Sequence, residues 1–276
     1  MTGSVALYSD ALESVVNIVA AVVAVFAIRI SAKPPDKNHP YGHSKAEYIS
    51  AVMEGALIVI AALLILRETY DAVLVPRQLD IPVAGLVVSG VATLLNVLWA
   101  MVLLRAGTRT RSPALSADGH HLMTDVVTSV GVVIGLIVAQ ATGWAWLDPL
   151  IAAMVAINVL WSGWVLMRSS IGGLMDEAPD AETLQRAEAV IAANGQGALQ
   201  AHDLRMRCTG RTTFIDFHLI VSGQMTVSRS HEICDRIEAA LRSEFEDVVI
   251  SIHVEPDEHS KSDDIVELHP HARPGA

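Results

Sequence analysis

Two pairs of side chains are placed where charge is expensive. Glu13 and Asn17 lie four residues apart inside one long apolar run, and His121 and Asp125 repeat that spacing in another. A four-residue step puts both members of a pair on one face of a helix, and Asp10 falls close to the face of the first pair. A carboxylate at mid-membrane costs about 2.5–3.5 kcal/mol on insertion scales, so it persists where it faces a partner or water. If the two pairs converge they offer one nitrogen and three oxygens, a four-coordinate set for a borderline or hard divalent cation. The competing reading is hydrogen bonding between helices with no metal. Asp36, His39 and His43 crowd into eight residues with Gly42 available for a tight turn, and read either as metal ligands or as a solvated loop. Further on, His202, His218, His231 and His253 fall in a polar region, with Glu255 on the same strand face as His253. They too read as metal ligands or as half-buried histidines. Lys45 and Asp176 flank apolar runs, where charges commonly act as interface anchors.

The elements that must position these groups are legible from hydropathy. Of 276 residues, 52% are hydrophobic and only 18% charged, against roughly 25% charged in soluble domains. The apolar residues cluster into five runs, 4–28, 46–66, 81–104, 122–141 and 146–167, each able to cross about 30 Å of hydrocarbon as a helix. Arg29, Lys33, Lys37 and Lys45 follow the first run, and Arg105, Arg109 and Arg111 follow the third. The alternate connections hold only Arg67 and Arg77, then no Lys or Arg from Gln140 to Asp148. The basic connections are therefore expected on the cytoplasmic side, together with everything after Met167.

Beyond Asp176 the character changes. The chain is expected to divide into a transmembrane domain over 1–170, a linker over 171–180, a small α+β domain over 181–256 and a disordered tail over 257–276. Residues 181–193 and 226–245 have helical periodicity, while 203–208, 212–221 and 248–254 read as strands, with Gly210 in a turn. The order αββαβ predicts an open sheet with helices on one face. The Gly172-Gly173 pair reads as a hinge. Net charge of −11 offers nothing for nucleic acid, and Cys208 and Cys234 form neither a CxxC motif nor a disulfide framework. No nucleophile–base pair, phosphate loop or cofactor motif points to an enzyme.

In order and spacing, over essentially the whole chain, these residues resemble the cation diffusion facilitator (cation efflux) family, in particular its bacterial zinc and ferrous-iron efflux members. The resemblance is carried by Gly3-Ser4-Val5-Ala6-Leu7 leading to Glu13 and Asn17. Asp36, His39 and the run Gly42-His43-Ser44-Lys45-Ala46-Glu47 follow, then His121-Leu122-Met123-Thr124-Asp125 and Leu174-Met175-Asp176. The polar region adds Ala201-His202-Asp203-Leu204-Arg205, Phe217-His218-Leu219 and Ile252-His253-Val254-Glu255.

The resemblance implies a multi-pass protein of the bacterial cytoplasmic membrane, surrounded by lipid, that forms a homodimer and exports divalent metal in exchange for protons by alternating access. It makes Glu13, Asn17, His121 and Asp125 the transport site, and Asp36, His39 and His43 a loop site. It makes His202, His218, His253 and Glu255 a regulatory site in a metallochaperone-like domain, with His231 as a further candidate. Lys45 and Asp176 match an inter-subunit salt bridge. The family has six spans with both termini cytoplasmic. Residues 4–28 match its second, so the first is expected to be missing from this sequence. Zinc-type members commonly carry Asp where Glu13 and Asn17 stand, and Asn is neutral, coordinating only through its carbonyl oxygen. The oxygen-rich set admits Zn²⁺ or Fe²⁺ foremost, and Mn²⁺, Co²⁺, Ni²⁺ or Cd²⁺ besides. The alternative is a membrane metal sensor or scaffold that does not transport.

Overall fold

A computed structural model describes residues 5–74, 83–142, 146–259, 265–266 and 268; the side chains of residues 5–17, 72, 83–89, 132, 135–136, 139–141 and 148 are outside that description. The chain divides into two compact units, the first ending at Leu174 and the second starting at Met175.

The first unit is five helices, α1 (Val5–Ser31), α2 (Lys45–Leu74), α3 (Val83–Thr110), α4 (Pro113–Thr142) and α5 (Leu147–Leu174). Three are long and apolar enough to cross a membrane within their described residues, over Lys45–Asp71, Gly90–Thr110 and Pro149–Leu174, and α1 adds the shorter apolar stretch Ile18–Ser31. Small residues line the interior, among them Ala20, Ala24, Ala51, Ala62, Ala100, Ala117 and Ala156, while Phe26, Leu63, Leu98, Trp99, Trp161 and Trp164 point outward. That inversion suits helices in lipid, where close backbone approach supplies packing that the hydrophobic effect does not.

All five helices run past their expected apolar segments, and two of the extensions bear on the site. α4 begins at Pro113, nine residues ahead of the expected 122, because helix continues through the polar Ser116, Asp118 and His120, which hydropathy alone does not reveal. Ser112 caps it, accepting from the Leu115 N–H at 3.3 Å, and Pro113 at the first helical position has no N–H to leave unpaired. Arg111 in the left-handed region, φ 50°, makes the reversal from α3. α5 runs to Leu174 through the Gly172-Gly173 pair, so that pair is not a hinge, and residues 171–174 belong to the helix, not to a linker. A Cβ at Gly173 would lie 2.2 Å from the Tyr48 ring, so glycine is there to let α2 and α5 close on one another.

One carboxylate ties three helices together at this end. Glu47, buried near the start of α2, accepts from Ser31 Oγ at 2.6 Å and from Ser112 Oγ.

The second unit is α6 (Ala181–Asn194), β1 (Gln200–Thr209), β2 (Thr212–Val221), α7 (Val227–Glu244), β3 (Val248–Pro256), a 3-10 turn over Asp257–His259 and β4 (Ile265–Val266). The sheet order is β3-β2-β1-β4, with β2 parallel to β3 and the other pairs antiparallel. Ile215, Phe217, Leu219 and Val221 of β2 join Ile191 of α6 and Ile233, Ile237 and Leu241 of α7 in the core. Both helices therefore cover one face of the sheet, and alternate strand residues face the other side. The tail from Asp257 is not structureless throughout as expected. β4 pairs with β1 at Ala201 and His202, and buried Val266 joins the core, so apolar burial holds this segment in place.

Arg236 of α7 closes the end of α6, donating from Nε to Asn194 O at 2.8 Å and from its NH2 group to Gln196 O. Hydrogen bonds from charged donors contribute about 1.5–3 kcal/mol. Arg236→Ala should lower the stability of the second unit by that amount, read from the urea midpoint of the full chain in detergent with tryptophan-independent far-UV signal.

Candidate metal centres

The loop between α1 and α2 gathers Asp36, His39 and His43 so that one ligand atom from each lies within 4.8 Å of the others. Asp36 Oδ1 accepts from the backbone N–H groups of Asn38 (2.8 Å) and His39 (2.7 Å), which folds the loop back on itself. Gly42 supplies the left-handed backbone, φ 87°, that brings His43 round. His39 Nδ1 is 3.3 Å from Asp36 Oδ1 and His43 Nε2 is 3.4 Å from Oδ2. His43 Nδ1 is buried without a hydrogen-bond partner among the described residues. The His39 backbone N–H holds the Asp36 carboxyl below its ordinary range, so it stays an anionic ligand under mildly acid conditions.

In the helical unit His121 and Asp125 share one face of α4, with Nδ1 and Oδ1 3.4 Å apart and both residues buried. Their would-be partners, Glu13 and Asn17, and the nearby Asp10, fall on α1, but their side chains lie outside the described residues. Beside His121 opens a cavity of about 760 Å³ between α2, α4 and α5, with Tyr48, His120, Asn158 and Ser162 among its walls. Sequence reasoning passed over three buried or half-buried acids here, Glu47, Glu54 and Asp118. Their signal was present, since each is an acid in or beside an apolar run, but Glu54 and Asp118 form no four-spaced pair with a second candidate ligand, and Glu47, four from His43, forms such a pair only across a loop–helix boundary.

In the second unit three histidines form a row across three strands. His202 of β1 is opposite His218 of β2, and His218 is in register with His253 of β3. Neighbouring ring centroids are 5.1 and 5.0 Å apart. Glu255, two residues beyond His253 on the same strand face, lies against all three: 3.6 Å from His202 Nε2, 3.3 Å from His218 Nδ1 and 3.5 Å from His253 Nε2. The row is on the face away from α6 and α7. His202 is fully buried, at the point where β4 pairs over it, while the His253 side chain at the sheet edge is 67% exposed.

Asp203 completes the set and was not predicted as a ligand. Strand alternation sends it to the face opposite His202. A bulge between His202 and Arg205, with Asp203 at φ 52°, overrides the alternation and brings Oδ2 to 3.9 Å from His218 Nδ1. His202, Asp203 and His218 have ligand atoms within 4.8 Å of one another. His231 is not in the row. It lies on α7, 3.5 Å from Asp235, and lines a cavity of about 430 Å³ that Glu255 also borders.

Lys45 Nζ donates to the Leu174 carbonyl at 3.1 Å, and Asp176 pairs with Arg207 at 3.0 Å. The Cys234 thiol is pushed up from its ordinary pKa by burial, and further by Glu238 and Asp235, so it stays protonated.

Two family models cover the chain: a cation efflux transmembrane domain over residues 1–175, and the cytoplasmic domain of cation efflux proteins over residues 179–257. An uncharacterized transporter of Synechocystis, sll1263, is 45% identical over 262 residues, 95% of this chain and 84% of that protein. The cation-efflux pump FieF of Shewanella oneidensis is 32% identical over 255 residues, 92% of this chain and 86% of the pump. A solved structure of CzrB in its zinc form is 38% identical and covers 31% of this chain and 98% of its own, at a TM-score of 0.30.

Proposed function

Because this chain belongs to the cation efflux family, and is thus a membrane transporter of divalent metal cations with a cytoplasmic C-terminal domain, we propose that it exports Zn²⁺ or Fe²⁺ in exchange for protons by alternating access. The observation that carries the reading is a buried imidazole–carboxylate pair, His121 and Asp125, on a helix that has no Lys or Arg. Borderline divalent ions take such a mixed nitrogen and oxygen set. Metal requires neutral imidazole and ionised carboxylate, so each metal that binds displaces protons and an inward proton gradient can drive metal outward.

Helix arithmetic supports adding Glu13 and Asn17 to this site. Ser31 and Ser112 both meet Glu47. Asn17 stands 14 residues along α1 from Ser31, and Asp125 stands 13 along α4 from Ser112. At 1.5 Å per residue both backbones reach about 20 Å from the common anchor. The loop group is the next candidate along the cytoplasmic side. The histidine row with Asp203 and Glu255 is the regulatory site in this reading, and the dimer is completed through the cytoplasmic domain, with Lys45 and Asp176 exchanging their present partners for one another across subunits. The bacterial cytoplasmic membrane is its location.

The test is metal influx into proteoliposomes holding the full chain, with an encapsulated indicator and a panel of divalent ions, with and without an opposing proton gradient. Saturable Zn²⁺ or Fe²⁺ movement that the gradient accelerates is the expected result. Stoichiometric metal binding with no movement of any ion would instead establish the sensor reading.

A further inference from the structure

Glu54 is a buried acid that the transport site as described does not use. It sits in α2 at 2% exposure, and its Oε1 has no hydrogen-bond partner among the described residues. It belongs to the inward stripe of α2 that runs Glu47, Ser50, Ala51, Glu54 and Ile58, residues that share one helix face at steps of three, four and seven. The contact between Glu47 and Ser112 fixes how far α2 and α4 have each advanced from a shared level. Glu54 is seven residues beyond Glu47, and Asp118 is six beyond Ser112. Both helices start at this end, so the two acids stand at the same depth, about 10 Å inside. Asp118 and Asp125 both act electrostatically on Glu54, and Asp118 in turn interacts with His121 and Asp125.

The charge balance here does not close. α2 holds no Lys or Arg from residue 46 to 66, α4 none at all, and α5 none from 147 to 167. Among the described residues of α2, α4 and α5, His120 and His121 are the basic side chains at this level, and Arg105 of α3, beside the Leu104 that packs on Gly119, is exposed. Asp125 has His121 beside it, whereas Glu54 and Asp118 face each other's helices with no Lys or Arg on those spans of α2, α4 and α5. A buried anion without a compensating cation is strongly disfavoured. A stripe that is otherwise small or apolar would hold a neutral side chain at position 54 more cheaply. With Asp118 at the same depth, what the orphaned carboxylate oxygen of Glu54 can ligate is a divalent cation.

We propose that Glu54 and Asp118 form a second intramembrane cation site, about two helical turns to the cytoplasmic side of Asp125, at which the metal is held before it passes to His121 and Asp125. The proposal rests on the exporter reading and adds to it a staging site. It also gives the pathway back a negative charge that the neutral Asn17 lacks, contributed from a different helix.

The test uses the full chain, with Zn²⁺ as the probe, in two measurements. In proteoliposomes, E54Q and D118N should raise the half-saturating Zn²⁺ concentration by about 10–100-fold, the usual range for weakening a metal site, whereas E54D should recover most of the wild-type value. By equilibrium dialysis in detergent, the E54Q/D118N double variant should bind one Zn²⁺ fewer per chain than wild type. Wild-type half-saturation and wild-type stoichiometry in these variants, with D125A inactive, would overturn the staging site and leave the exporter reading standing. Absence of transport by the wild type with every metal tried would overturn the exporter reading itself. If E54Q is not recovered as a monodisperse protein, D118N, whose side chain is only partly buried, decides the matter alone: wild-type behaviour there refutes the proposal.

Discussion

Asp125→Ala should abolish metal-dependent proton release and metal influx in proteoliposomes, with activity reduced below detection and not simply shifted to higher metal. The magnitude follows from what is removed. Asp125 is buried within 3.4 Å of His121, and alanine leaves that imidazole with only Asp118, one turn earlier, as a carboxylate on the helix. Too few donors then remain on α4 to replace a metal's water shell. The protein itself should survive the change, since the cost of desolvating a buried carboxylate offsets much of what its contact with His121 contributes. The unfolding temperature in detergent without metal should be unchanged or raised. Transport retained in that variant would refute the assignment of the site, and a fall in unfolding temperature would assign Asp125 a structural role instead.

The second large effect is expected in the cytoplasmic unit. Zn²⁺ should stabilise the full chain against unfolding, and His218→Ala should remove most of that gain. A ligand that binds only the folded state contributes about 2.7 kcal/mol at a free concentration 100 times its dissociation constant. His218 is the shared member, in contact with His202, Asp203, His253 and Glu255, so its loss breaks every combination of ligands. His253→Ala should cost less of the zinc-dependent stabilisation, because that ring is largely exposed at the sheet edge. It should shift the metal concentration needed for transport while leaving some activity. Chelation should bring wild type down to the His218→Ala level. Equal zinc stabilisation in wild type and His218→Ala would place bound metal elsewhere.

How far the residues alone led can be seen at particular positions. The helices, the change of character near Asp176 and the αββαβ order were readable because hydropathy period and turn residues are local signals. The histidine row was half readable. Strand alternation put His253 with Glu255, but no local rule says that His202, His218 and His253 fall in one register across three strands, which depends on a parallel pairing between segments far apart in sequence. Asp203 was hidden because a bulge reverses the face its position implies. The early start of α4 was hidden because hydropathy reports where lipid contact begins, not where helix begins. Glu54 was in plain view as a single acid in an apolar run. It was passed over because pairs at helical spacing attract attention, and its partners are on another helix.

The carboxylate of Glu47 carries a mechanical consequence. It joins the ends of α1 and α2 and the cap of α4 at a single point, so these three helices cannot spread apart there without breaking two hydrogen bonds to a buried anion. Any rocking of the bundle is then cheapest as a tilt about that knot, a fulcrum near one face of the membrane. Small angular changes at the fulcrum become wide displacements at the opposite ends of the helices.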